Sequence, residues 1–183
     1  MSTIKVNNIQ SRTGSAISFT SGDTITIPSG ATITNNGTAT GFGGGKIGQV
    51  TSTNFTFDVN ITSTSLIEIN SSCRLSLTPS SASSTFIFQF QFPYFVASAN
   101  TGFFLNIYRD IGGGGYSNIS GELTRYAGYQ SSTGNYEIAC LMYKDSPSTT
   151  SAVTYSPYVK VSSNTVNFGN NGKYYATLME VLA

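Results

Sequence analysis

Three observations predict an all-β fold for this chain. Apolar and aromatic residues alternate with polar ones over most of its length, Ser, Gly, Asn and Pro clusters separate these runs, and no stretch between them has the spacing of an amphipathic helix. The composition agrees, because 12 Phe and 11 Tyr in 183 residues favour extended backbone and disfavour helix. The predicted architecture is an N-terminal β-repeat shaft, residues 1–40, then a glycine-rich hinge, residues 41–48, and an antiparallel jelly-roll-like β-sandwich head, residues 49–183.

The shaft is read from an eight-residue register. Gly14, Gly22 and Gly30 recur at that spacing, as do Ile17, Ile25 and Ile33. Each unit, "AISFTSGD", "TITIPSGA" or "TITNNGTA", places one or two apolar residues at alternate positions and then turns. Such units expose an apolar stripe that they are too short to bury alone. Copies of the chain meeting on a common axis would cover it, each buried Ile contributing roughly 1.5–3 kcal/mol. The expected shaft core is therefore Ile17, Phe19, Ile25, Ile27 and Ile33, in a homotrimer. A Ser/Thr/Gly-rich linker is the competing reading, and the regular spacing favours the shaft.

"GFGGGKIG", from Gly41 to Gly48, marks the boundary. It is not a phosphate-binding loop, since neither Ser nor Thr follows Lys46 and the required spacing is absent. In the head, Phe55, Phe57, Val59 and Ile61 share one face, and a run from Ile67 to Leu77 follows. Phe86, Phe88, Phe90 and Phe92 then share a face opposite Gln89 and Gln91. Further strands are expected over 102–109, 135–144, 152–161, 165–168 and 173–181, with Pro93 at a strand end or edge.

Charge excludes several functions. Charged residues are 9% of the chain, nine Lys plus Arg against eight Asp plus Glu, so nucleic acid and anionic membrane lack the basic stripe they need. No apolar run approaches the roughly 20 residues of a membrane span, and "MSTIKVNNIQ" lacks a signal segment. Without His, a catalytic thiol has no base, and Cys73 and Cys140 are expected to be reduced and buried on apolar strand faces. Asp110, Glu122 and Glu137 are the carboxylates nearest the loop described next, but spacing alone does not make an acid–base pair. The chain is expected not to be an enzyme and to use no cofactor or metal.

"RDIGGGGYSNISGELTRYAGYQSSTGNY", from Arg109 to Tyr136, interleaves tyrosines with amides, Arg125 and four consecutive glycines. Tyrosine rings offer flat faces for sugars, and neighbouring polar groups supply hydrogen bonds. Tyr116, Asn118, Arg125, Tyr126, Tyr129 and Gln130 are therefore candidates for a receptor site, with a glycan as the expected ligand. Tyrosines packing subunit against subunit would give the same composition.

"STIKVNNIQ", "TITIPSGATI", "LSLTPSSASS", "DSPSTTSAVTY" and the terminal "TLMEV" resemble, in this order, virion structural and tail-fibre proteins of marine tailed bacteriophages of the cyanophage type. The resemblance implies a trimeric virion protein assembled in the host cytoplasm. It implies an N-terminal segment attached to another virion protein, a thin β-structured shaft and a compact C-terminal head, while the expectation that the head binds a host-surface glycan rests on the tyrosine-rich stretch. A purely structural head fibre, decoration or connector protein is the alternative. The stretch from Thr101 to Gly134 departs from the pattern.

Overall fold

The computed structural model describes residues 46–121, 128–131, 134–169 and 172–182. The predicted shaft core (Ile17, Phe19, Ile25, Ile27 and Ile33), most of the hinge, Glu122, and Arg125 and Tyr126 lie outside the described residues.

The strands in chain order are β1 (Lys46–Thr56), β2 (Val59–Ile61), β3 (Ile67–Glu68), β4 (Leu75–Leu77), β5 (Thr85–Val96) and β6 (Thr101–Ile111). They continue with β7 (Ser117–Asn118), β8 (Gly128–Gln130), β9 (Asn135–Asp145), β10 (Val153–Val161), β11 (Val166–Phe168) and β12 (Lys173–Leu182). Several are pieces of one longer strand: β1 and β2 pair with β12 and β11, β3 and β4 both flank β10, and β7 and β8 both flank β6. Merged in this way, the pieces make eight strands among the described residues. The first, third, sixth and eighth form one antiparallel sheet, ordered β1/β2, β11/β12, β5, β9. The second, fourth, fifth and seventh form the other, ordered β3/β4, β10, β6, β7/β8. That interleaving is the double Greek key of a jelly roll.

Alternation decides what fills the space between the sheets. Phe86, Phe88, Phe90 and Phe92 of β5 are at most 1% exposed, and they meet Phe103, Leu105 and Ile107 of β6 and Val153, Tyr155 and Val159 of β10. Phe55 and Phe57 stack toward Tyr174, the Phe57 and Tyr174 centroids being 3.9 Å apart. These rings close the end of the core where β1 passes into β2. Gly169 makes this approach possible. Its φ is +107°, and a Cβ there would stand 1.8 Å from the carbonyl oxygen of Phe57, so only glycine fits between β11 and β12.

Four expectations are corrected. Lys46 to Gly48, read as the end of the hinge, already belong to β1 and its pairing with β12 begins at Lys46. The run from Ile67 to Leu77 is not one strand, because a 3₁₀ turn at Ser71–Cys73 divides it, capped by Asn70, whose Oδ1 accepts the Ser72 N–H at 2.9 Å. Cys73 is buried as expected, and burial raises its thiol pKa, but Cys140 is exposed. In "EIACLMY" apolar residues occupy both phases of β9, and the inward phase belongs to Ala139 and Leu141. Pro93 lies inside β5, a central strand, rather than at an end or edge. It is tolerated because β12 accompanies β5 only as far as Gln91 and β11 begins at Tyr94, leaving a gap at the proline.

Candidate ligand-binding face

The outer face of the second sheet carries an aromatic and ionic cluster that is built locally, piece by piece. Ser156 of β10 lies opposite Tyr108 of β6, and Tyr158 lies opposite Asn106. Tyr108 and Tyr158 are therefore diagonal neighbours on one face, within reach for ring contact. Their centroids are 3.8 Å apart with the planes 17° from parallel. The glycine run then delivers a third ring. Gly112, Gly113 and Gly115 have φ of 62°, 82° and 103°, conformations that suit glycine in a tight turn. The Gly115 N–H donates to Asp110 Oδ1 at 3.0 Å, reversing the chain into β7. Tyr116 thereby arrives 6.2 Å, centroid to centroid, from Tyr158.

β3 and the 3₁₀ turn after it supply the charges. The turn ends at Arg74, whose guanidinium carbon lies 5.0 Å from the centre of the Tyr116 ring, a cation–π contact. Arg74 Nε and Nη2 donate to Glu68 Oε1 and Oε2, both at 2.7 Å, and the Ser156 hydroxyl donates to Glu68 Oε1 at 2.6 Å. Partial burial acts to raise the Glu68 pKa, but the bonds from Arg74 and Ser156 and the guanidinium charge outweigh it, so the net direction is down. Tyr116 and Tyr158 are pushed up, chiefly by burial. The face thus presents partly exposed phenols beside a carboxylate and a guanidinium bound to each other, whose remaining donor and acceptor sites, with the rings, can stack on and hydrogen-bond a polyhydroxylated ligand.

The structure brings only part of the proposed receptor site together. Tyr116 and Asn118 stand at the cluster, with Asn118 opposite Tyr108. The Asn118 side chain is engaged in its own turn, accepting from the N–H groups of Ser120 and Gly121 at 3.2 and 3.1 Å. Tyr129 lies opposite Gly102 and Gln130 opposite Thr101, at the far end of β6. Six residues of extended strand, about 20 Å, separate this end from Tyr108. The Tyr129 hydroxyl donates to Asn100 Oδ1 at 3.0 Å. Tyr136 belongs to the other sheet, stacked on Phe95 with centroids 4.4 Å apart.

Sequence reading missed Tyr108, Tyr158, Arg74 and Glu68. Tyr108 and Tyr158 lie 50 positions apart, and only the β6–β10 register makes them neighbours. Glu68 and Arg74 are six positions apart and meet because the 3₁₀ turn folds the chain back. Among the described residues no group of three His, Cys, Asp or Glu side chains is placed to hold a metal ion. Of the carboxylates near the loop, Asp110 holds the glycine turn and Glu137 accepts a hydrogen bond from the Tyr94 hydroxyl.

No protein-family model matches the sequence, and no curated protein matches it. Solved structures to which the chain is similar include those of infectious bursal disease virus Gx and Gt strains, at 11% and 10% identity and TM-scores of 0.42 and 0.40. Each likeness covers 73% of this chain and 36% of the solved one, so the chain spans about a third of their length. A likeness this distant says nothing about function.

Proposed function

We propose that the chain is a structural protein of a virus particle whose jelly-roll head contacts a surface glycan through the outer face of the second sheet, with residues 1–40 serving as shaft and attachment segment. The Tyr108, Tyr158, Tyr116, Arg74 and Glu68 assembly carries this reading. It sets three phenol rings beside a charge pair whose side chains stay 42% and 18% exposed, where a core would have buried or replaced them. The order of sequence motifs shared with tailed-phage virion proteins supports the setting. No enzymatic activity is part of the proposal.

The test is retention of the purified chain on a panel of immobilised bacterial surface polysaccharides, with Tyr158→Ala and Arg74→Ala as variants. The proposal expects retention by the parent chain and its loss in both variants, each of which keeps the circular dichroism spectrum of the folded parent. Retention unaffected by either substitution overturns the assignment of this face, and an empty panel overturns glycan binding. A second reading, a structural virion component that recognises no host, is favoured by the exposed apolar face of the first sheet, which is suited to packing.

A further inference from the structure

The outer face of the first sheet is apolar where a solvated sheet would be polar. Ile47 and Val50 of β1, Tyr136, Ile138 and Met142 of β9, and Tyr175 of β12 all stand on it, each between 51% and 69% exposed. The register places them together. Val50 lies opposite Met179, and Met179 opposite Ile87; Ile138 lies opposite Pro93, and Tyr136 opposite Phe95. A shallow depression of about 330 Å³ opens among them, lined by Gln91, Pro93, Ile138, Lys173 and Tyr175.

We infer that this face is the surface on which a second copy of the chain packs, an inference independent of the glycan reading because it concerns the opposite sheet. The area is sufficient. Six large side chains at on the order of 100 Å² each present about 600 Å² of apolar surface, the upper end for the largest patch on a monomer. That is most of the roughly 800 Å² that each partner contributes to a standard interface.

The polar groups suit a copy better than an unrelated partner. Lys144 and Lys173 are the only charged side chains in the outward phase of β1, β5, β9 and β12 among the described residues, so a strongly charged partner would find little to pair with. Gln89, Gln91, Thr177, Ser52 and Asn54 form the polar band across the middle. Amides and hydroxyls donate and accept equally, so such a band can satisfy itself in a contact between like surfaces. The face also includes β1, the strand into which the 45-residue N-terminal segment leads, and the isoleucine register of that segment independently calls for self-association.

Cys140 provides a direct probe. It lies on this face opposite Gln91, exposed in the single chain, whereas Cys73 is fully buried and silent in the folded protein. The experiment measures the rate at which a small thiol reagent labels Cys140 of the native full-length chain across a concentration series, alongside light scattering. The Ile138→Asp/Met142→Asp and Tyr175→Glu variants are run in parallel. The expected result is an assembled chain in which labelling slows by about tenfold or more as association saturates. In both variants, labelling should return to the rate of an open thiol while the circular dichroism spectrum is unchanged. Three results overturn the inference: a monomer at all concentrations, an assembled chain whose Cys140 reacts freely, or protection that does not depend on concentration, which would mean that another segment of the same chain covers the face.

Discussion

Pro93 and Pro157 occupy equivalent places in opposite sheets. Pro93 is inside β5, where the neighbouring strand changes from β12 to β11; Pro157 is inside β10, where it changes from β4 to β3. Each accepts a single hydrogen bond on that side, Pro93 from the Gly169 N–H at 3.0 Å and Pro157 from the Ile69 N–H at 3.2 Å. An extended residue directs its N–H and C=O to the same edge, so each missing donor points into the gap where one neighbouring strand ends and the next begins. The same device lets both central strands run long while their neighbours break and turn.

Replacing Pro157 by Ala puts a new N–H into the buried gap between β4 and β3. An unsatisfied buried donor costs about 1–3 kcal/mol, and the freer unfolded chain adds about 0.4–1 kcal/mol. Urea denaturation should show a lowered midpoint with unchanged slope. Pro93 is partly exposed, so Pro93→Ala should cost less, because water can reach the new donor.

Gly169→Ala should be among the most damaging single substitutions. A methyl group would overlap the Phe57 carbonyl at a φ of +107°, so β11, β12 or the β1–β2 junction must move. The loss expected is above about 4 kcal/mol, visible as a collapse of the thermal transition or failure to recover folded protein. A variant melting within a few degrees of the parent would refute the packing described at this junction.

Acid should weaken the fold through two carboxylates. For Glu180, burial acts to raise the pKa but hydrogen bonds at the carboxylate outweigh it, and Glu68 is lowered as described. Ser80 donates to Glu180 from its N–H at 2.6 Å and its hydroxyl at 2.9 Å, and Gln49 donates from Nε2 at 2.8 Å. Since the folded-state values lie below the ordinary 4.5, the stabilisation is complete above that pH and is lost as the pH falls through the lowered values. Stability measured from pH 6 down to pH 2 should fall below about 4.5, and Glu180→Gln should flatten part of that slope.

Legibility in the sequence followed phase. Across the middle of β5, Phe88, Phe90 and Phe92 alternate with Gln89 and Gln91, and the two faces could be read there directly. β9 could not be read in this way, since Ile138, Cys140 and Met142 face out while Ala139 and Leu141 face in, and both sets are apolar. This ambiguity, which hid the exposure of Cys140, is itself the trace of a strand that faces a core on one side and an apolar patch on the other. The ligand face was half legible. The glycine run and Tyr116 were visible because they are local, but the Tyr108–Tyr158 stack depends on register between strands 50 residues apart, which no local pattern encodes.

The most direct test of the glycan-binding account is a titration of the full-length chain with a retained saccharide, followed by NMR of the aromatic ring protons and the arginine side-chain N–H groups. The account predicts saturable shifts at Tyr116, Tyr158 and Arg74 on the second sheet, with Tyr136 and Tyr175 on the first unmoved. Shifts confined to Tyr136 and Tyr175, or saturable binding that leaves Tyr116, Tyr158 and Arg74 unperturbed, would contradict it.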